Sequence, residues 1–160
     1  LFSRHAESSL RGLDLSDHDR PLSQRGIENS NLMGNRLLKE GILPDCFISS
    51  SAKRALDTCE IIKNKVSGDG TIQIFNEIYT NGLNGVINSI QLIDDKYDFI
   101  SIFGHNPTIH QIYNDISSEY ISKFPTSAVF IATFNSKSWK SFSLSNLKID
   151  INSSSKIYKV

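Results

Sequence analysis

Arginine and histidine recur at three separated points of this chain: Ser3-Arg4-His5-Ala6-Glu7, Ser50-Ser51-Ala52-Lys53-Arg54-Ala55 and Phe103-Gly104-His105-Asn106-Pro107. Guanidinium groups pair with the oxygens of phosphate, and a ligand-facing imidazole suits the same kind of site. Each segment follows a short apolar run that reads as a strand, so each delivers its side chain where a strand hands over to a loop or helix. Arg54 is the most telling residue. If Ser51 caps the following helix, Lys53 and Arg54 fall in its first turn, where a cation faces the positive end of the helix dipole at a cost of roughly 0.3 kcal/mol or more. A bound anion reverses that sign. The alternative is that both side chains point into water. Gly104 permits close backbone approach, and Asn106 with Pro107 reads as the cap and first residue of a helix.

The elements that must position these residues alternate along the chain. Leu1 and Phe2 are the remnant of a first strand, and residues 5–22 read as a long polar loop. Ser23 caps a helix that runs to about Glu40 and stops at Gly41, with Leu22 and Ile27 at the spacing of a hydrophobic staple. Ser30 and Gly34, four apart, suit close packing of that helix on a sheet. Residues 46–48 form a second strand, and Ala55, Cys59, Ile62 and Val66 repeat at helical spacing. Residues 67–70 read as a turn, 72–75 as a third strand and 86–94 as a short helix. The nearly unbroken apolar run 99–103 suits a central strand covered on both faces. Ile109, Ile112 and Ile116 face one side of the next helix. Residues 128–134 and 139–144 read as two final strands, and the tail after Lys148 as a strand or an irregular end. Strand–helix alternation of this kind implies a mostly parallel sheet with helices on both faces, and a ligand crevice outside the carboxyl ends of its strands.

A chain of 160 residues fits one domain, expected to span residues 1–160, and can bury a real core. The formal net charge of zero argues against a broad nucleic-acid surface while leaving room for a small cationic pocket. No apolar run is long enough to span a membrane. No basic segment followed by an apolar stretch opens the chain, and its start at Leu1, inside a strand-like run, is read as the loss of a few upstream residues. Cys46 and Cys59 read as buried thiols, which suits a reducing, cytoplasmic compartment. His5 and His105 lack a third ligand at zinc-like spacing, so no metal is expected.

With these segments the chain resembles the histidine phosphatase superfamily, in its small branch that includes the SixA phosphohistidine phosphatases. Arg4-His5 matches the Arg-His-Gly signature. Arg20-Pro21-Leu22-Ser23 with Gly26 matches the lead-in to the first helix. Residues 50–58 resemble the segment that carries the second arginine and ends in Thr58. Glu77 falls at the acidic position after the third strand, and Gly104-His105-Asn106-Pro107 matches the second histidine motif. Two positions depart from the pattern: Ala6 replaces a glycine and Ser51 a proline.

The resemblance implies a three-layer α/β/α sandwich of the phosphoglycerate mutase-like fold and a mechanism without metal or organic cofactor. His5 would attack phosphorus and carry it transiently. Arg4 and Arg54 would clamp the phosphoryl oxygens with Arg20 as a third clamp, and His105 would stabilise the transferring group, with Asn106 beside it in the binding set. Glu77 is the candidate proton donor, needed more for an ester than for phosphohistidine. Larger members of the superfamily carry a long insertion before the second histidine motif. Here only residues 78–96 lie between Glu77 and the segment of the central strand, which points to an open site and a phosphohistidine carried on a protein, such as a phosphotransfer domain. No nucleic-acid or membrane partner is expected, and the chain is expected to be a monomer. The alternatives are a phosphatase for a small phosphorylated metabolite and a non-catalytic phosphate-binding module.

Overall fold

The computed structural model describes residues 1–9, 15–68, 70–149 and 157–160. Strand and helix alternate as β1 (Phe2–Arg4), α1 (Gln24–Lys39), β2 (Cys46–Ser50), α2 (Lys53–Val66), β3 (Ile72–Phe75), α3 (Glu77–Thr80), α4 (Gly82–Gln91), β4 (Ile100–Gly104) and α5 (Thr108–Ile116), followed by short strands β5 (Val129–Phe130), β6 (Ala132–Phe134) and β7 (Leu147–Ile149). The main sheet has the order β3-β2-β4-β1-β5. Its first four strands are parallel and β5 joins the edge antiparallel to β1.

Side chains alternate across the sheet at the strand period of two. Phe2, Cys46, Ile48, Ile100 and Ile102 pack on one face with Val86 and Ile90 of α4 and Ile109 and Ile112 of α5. Leu1, Phe47 and Phe103 pack on the other with Met33 and Leu37 of α1 and Cys59 and Ile62 of α2. These two apolar layers make a three-layer α/β/α sandwich, and all five residues of central β4 are buried. No helix among the described residues is long and apolar enough to cross a membrane. Both cysteines are buried free thiols.

Helix α1 begins and ends as its sequence dictates. Ser23 accepts a hydrogen bond from Gly26 N, and Gly41 takes a positive φ of 71°. Gly41 N donates to Leu38 O and Ile42 N to Leu37 O, which satisfies the last carbonyls in a Schellman arrangement. The expected staple partners differ: Leu22 is buried, whereas Ile27 stays 39% exposed. Gly34 packs on a helix rather than the sheet, since a Cβ there would meet Lys65 of α2 at 2.8 Å.

Other expectations are corrected. The helix expected at 86–94 starts at Gly82 and is preceded by the single turn α3. Asn106 does not cap α5; Pro107 holds the cap position and the Asn106 amide turns to the Phe124 carbonyl. Residues 139–144 are not a strand. Trp139–Ser141 and Leu144–Asn146 are 3₁₀ turns, and the strand forms later as β7, antiparallel to β6. Trp139 and Phe142 lie three apart, the repeat of a 3₁₀ turn, and both pack on the core. The Trp139 indole also donates to Tyr97 O at 2.7 Å, which pins this turn. Asp69 of the expected turn, residues 10–14 of the long loop and 150–156 of the tail lie outside the described residues. Tyr158 bridges antiparallel to Val129 at the sheet edge.

Candidate active site

The parallel strands deliver the three segments to one edge. Arg4 pairs in register with Gly104, and Ser49 with Phe103, so the residues that follow β1, β2 and β4 emerge side by side at their carboxyl ends. His5 is held by its backbone, N donating to Gly104 O at 3.0 Å and O accepting from Ser127 N at 3.2 Å. The His5 and His105 rings then lie 5.1 Å apart between centroids.

Hydrogen bonds settle the tautomer of His5. Its Nδ1 is 2.7 Å from the Ala6 carbonyl, which can only accept, so Nδ1 carries the hydrogen. Nε2 therefore presents a lone pair, and Arg54 Nε donates to it at 3.3 Å. Burial pulls the His5 pKa down to about 4, helped by the positive charges of Arg54, Arg4 and Arg20 and opposed by the bond to Ala6. His105 is lowered to about 3, chiefly by burial and then by His5 and Arg54. Both rings are neutral at pH 7. His105 Nε2 is 2.8 Å from Ser50 Oγ, while its Nδ1 is buried without a partner. Among the described residues, Arg4 Nε, Asn106 Oδ1 and Ser127 Oγ share that condition.

Arg54 is buried at 7% exposure, unlike its neighbour Lys53, which reaches solvent and pairs with Asp57. Ser51 does not cap α2. Ala52 holds the cap position without a side-chain bond, and Lys53 N donates instead to the His18 carbonyl of the long loop. The same loop engages Arg54: Nη1 donates to the Asp17 carbonyl and Nη2 to Asp17 Oδ2 at 2.9 Å. Arg20 donates to Asp17 Oδ1 at 2.9 Å and to Ser8 Oγ at 2.7 Å. Tyr79 OH donates to Asp17 Oδ2 at 3.1 Å. Burial works against the charge of Asp17, but the bonds from Arg20 and Tyr79 and the charge of Arg54 outweigh it and hold the carboxyl at about 2. Asp17 thus ties Arg20 to Arg54.

The remaining expected residues are Arg4, Asn106 and Glu77. Arg4 Nη1 and Asn106 Nδ2 both donate to Phe124 O, at 2.7 and 3.1 Å, so Asn106 shares an anchor with Arg4. Glu77 opens α3 with its side chain exposed, and no hydrogen bond or ion pair joins it to the other site residues among those described.

Several side chains around the site carried no local signal beyond their motif. Thr58 Oγ1 donates to Arg54 O at 2.6 Å and accepts from Ala6 N at 2.9 Å, joining α2 to the residue after His5. Ala6 keeps a negative φ, so the glycine it replaces is not required for conformation. Ser51 donates to Asn76 Oδ1 at 2.8 Å and lies 2.9 Å from His18 Nε2, which gives the departure from proline a bridging place. Gly26 is needed: a Cβ there would lie 2.1 Å from Glu7 O. Asp17, His18 and Tyr79 were missed; the pairing of Asp17 with Arg20 at i,i+3 was the available clue. Among the described residues no group of three or more His, Cys, Asp or Glu could hold a metal ion.

Known proteins resemble this chain in sequence and in fold. The profile described as histidine phosphatase superfamily (branch 1) matches residues 1–78. An uncharacterized protein of Mycobacterium leprae is 30% identical over 141 residues, covering 80% of this chain and 84% of that protein. An uncharacterized chloroplastic protein of Arabidopsis thaliana is 28% identical, covering 91% of this chain and 71% of its own length. Among solved structures, the protein histidine phosphatase SixA complexed with tungstate superposes with a TM-score of 0.76 at 22% identity, covering 93% of this chain and 92% of that one.

Proposed function

Because this chain belongs to the histidine phosphatase superfamily and is a phosphatase, we propose that it hydrolyses phosphate from a protein phosphohistidine through a covalent phospho-His5 intermediate. The observation that carries the reading is the Nε2 lone pair of a neutral His5, set against the buried Arg54 and beside His105.

The chemistry follows from these positions. His5 Nε2 attacks phosphorus in line and forms a P–N bond as the bond to the leaving group breaks, with the leaving atom keeping its electron pair. Arg4, Arg54 and Arg20 offset the charge on the phosphoryl oxygens, and His105 Nδ1 donates to the group in transfer. Water then displaces His5 and releases phosphate. The site supplies position and charge, which suffices for phosphoryl transfer. Asn106 contributes by holding the Phe124 carbonyl that anchors Arg4. Glu77, exposed at the rim, would act as a proton donor only for an ester.

The short segment between Glu77 and β4 supports a substrate presented on a protein surface. The segment before β4 is taken up by α3 and α4, whose Ile78, Val86 and Ile90 are buried in the core, so it is scaffold rather than lid. The reading is tested by acid-labile labelling and turnover with a phosphohistidine-bearing phosphotransfer domain, compared with a panel of sugar and nucleotide phosphates. A labelled wild type, an unlabelled His5→Ala variant and a preference for the phosphoprotein are expected. Labelling retained in His5→Ala would place the nucleophile elsewhere, and a strong preference for one small ester would overturn the substrate class.

A further inference from the structure

Outward from the histidine pair, Asp17 is bonded both to Arg54 and to Tyr79. Arg54, beneath it, is buried, whereas the Asp17 side chain is 54% exposed. Tyr79 stands beside it, its ring edge-on to both His105, at 5.6 Å between centroids, and His18, at 5.0 Å. The backbone of His5 is tied to Gly104 of β4 and to Ser127 ahead of β5, so a leaving group in an in-line displacement would depart away from the sheet, past this outer layer.

We infer that Asp17 selects the leaving group: its carboxylate accepts the ring N–H of a protonated phosphoimidazole and disfavours a group that departs as an oxyanion. The inference rests on the phosphohistidine reading above and deepens it. A carboxylate has about four acceptor sites. Among the described residues, Arg54 and Tyr79 use two on Oδ2 and Arg20 one on Oδ1, which leaves one on Oδ1.

The chemistry balances. A phosphohistidine ring protonated on its distal nitrogen carries a positive charge beside its phosphoryl group. When the P–N bond breaks, the proximal nitrogen keeps the electron pair, the proton stays on the distal nitrogen and the ring leaves as neutral imidazole. His5 Nε2 takes the phosphoryl group. Asp17 favours this route by holding the protonated ring. A phosphate ester leaves instead as a developing oxyanion, which the same carboxylate repels. Held at about 2, Asp17 has no proton to give it.

The test is the ratio of kcat/KM for phosphoimidazole to that for 4-nitrophenyl phosphate, in wild type and Asp17→Asn, with orthovanadate binding measured alongside. The ratio should fall about tenfold or more, as expected for loss of a hydrogen bond between charged groups. A ratio that does not move overturns the assignment. If both substrates and vanadate binding fall together, Asp17 only positions Arg54. A wild type that turns over the ester but not phosphoimidazole overturns the phosphohistidine reading and this subsite with it. A wild type active on phosphoimidazole whose ratio is unchanged in Asp17→Asn overturns the subsite alone.

Discussion

Lowering the pH should destabilise the protein through the same two histidines that form its site. His5 and His105 have folded-state pKa values of about 4 and about 3, against an ordinary value of 6.5. As pH falls below 6.5 the unfolded chain binds protons at these positions while the folded chain does not. Stability is therefore lost from about pH 6.5 downward, until the folded pKa is reached. Between pH 7 and pH 5 the loss works out to about 2 kcal/mol per histidine and about 4 kcal/mol for both. Carboxylates add their own pH dependence, so the quantity to measure is a difference. Urea unfolding at pH 7 and pH 5 should show wild type losing about 2 kcal/mol more than His5→Asn, and likewise for His105→Asn. The depressed carboxyl of Asp17 acts in a lower window, its stabilisation present above 3.8 and lost as pH falls toward 2. If wild type and His5→Asn lose stability in parallel between pH 7 and pH 5, His5 titrates as it would in water. The argument for a desolvated, neutral nucleophile beside Arg54 then fails.

Three further outcomes are expected. Arg54→Ala should weaken vanadate or phosphate binding about tenfold or more, since it removes a buried charged donor; unchanged binding by calorimetry would leave Arg54 as a partner of Asp17 only. Thr58→Val keeps the side-chain shape but strands the buried Ala6 N–H, so it should cost about 1–3 kcal/mol in urea unfolding and slow labelling of His5. Thr58→Ser, which keeps the hydroxyl, should label at nearly the wild-type rate, and equal labelling of all three would detach Thr58 from the placement of His5. Glu77→Gln should leave turnover of phosphoimidazole unchanged and slow hydrolysis of an alkyl phosphate; an equal loss on both would show that Glu77 supports the site by another route.

Much of the site was legible because its signals are local. Arg4-His5, Arg54 and Gly104-His105 each follow a run whose apolar pattern marks a buried strand, and a parallel sheet brings such strand ends together. Ser23, Gly41 and the stripe of Ala55, Cys59, Ile62 and Val66 were equally readable, because caps and helical repeats act over a few residues. Local reading failed where a distant partner decided the outcome. Ser51 looked like a cap, yet the His18 carbonyl caps α2 and Ser51 turns to Asn76. Residues 139–144 had the composition of a strand, yet Trp139 is held by Tyr97, 42 residues away.

The sequence by itself determined the α/β alternation, the strand ends that carry arginine and histidine, and the family they resemble. Only the tertiary structure decided that Asp17, while holding Arg20, reaches Arg54 across 37 residues, and that Thr58 holds the residue after His5 across 52. Those choices depend on which donor meets which acceptor once the chain has closed. No spacing within a single segment encodes them.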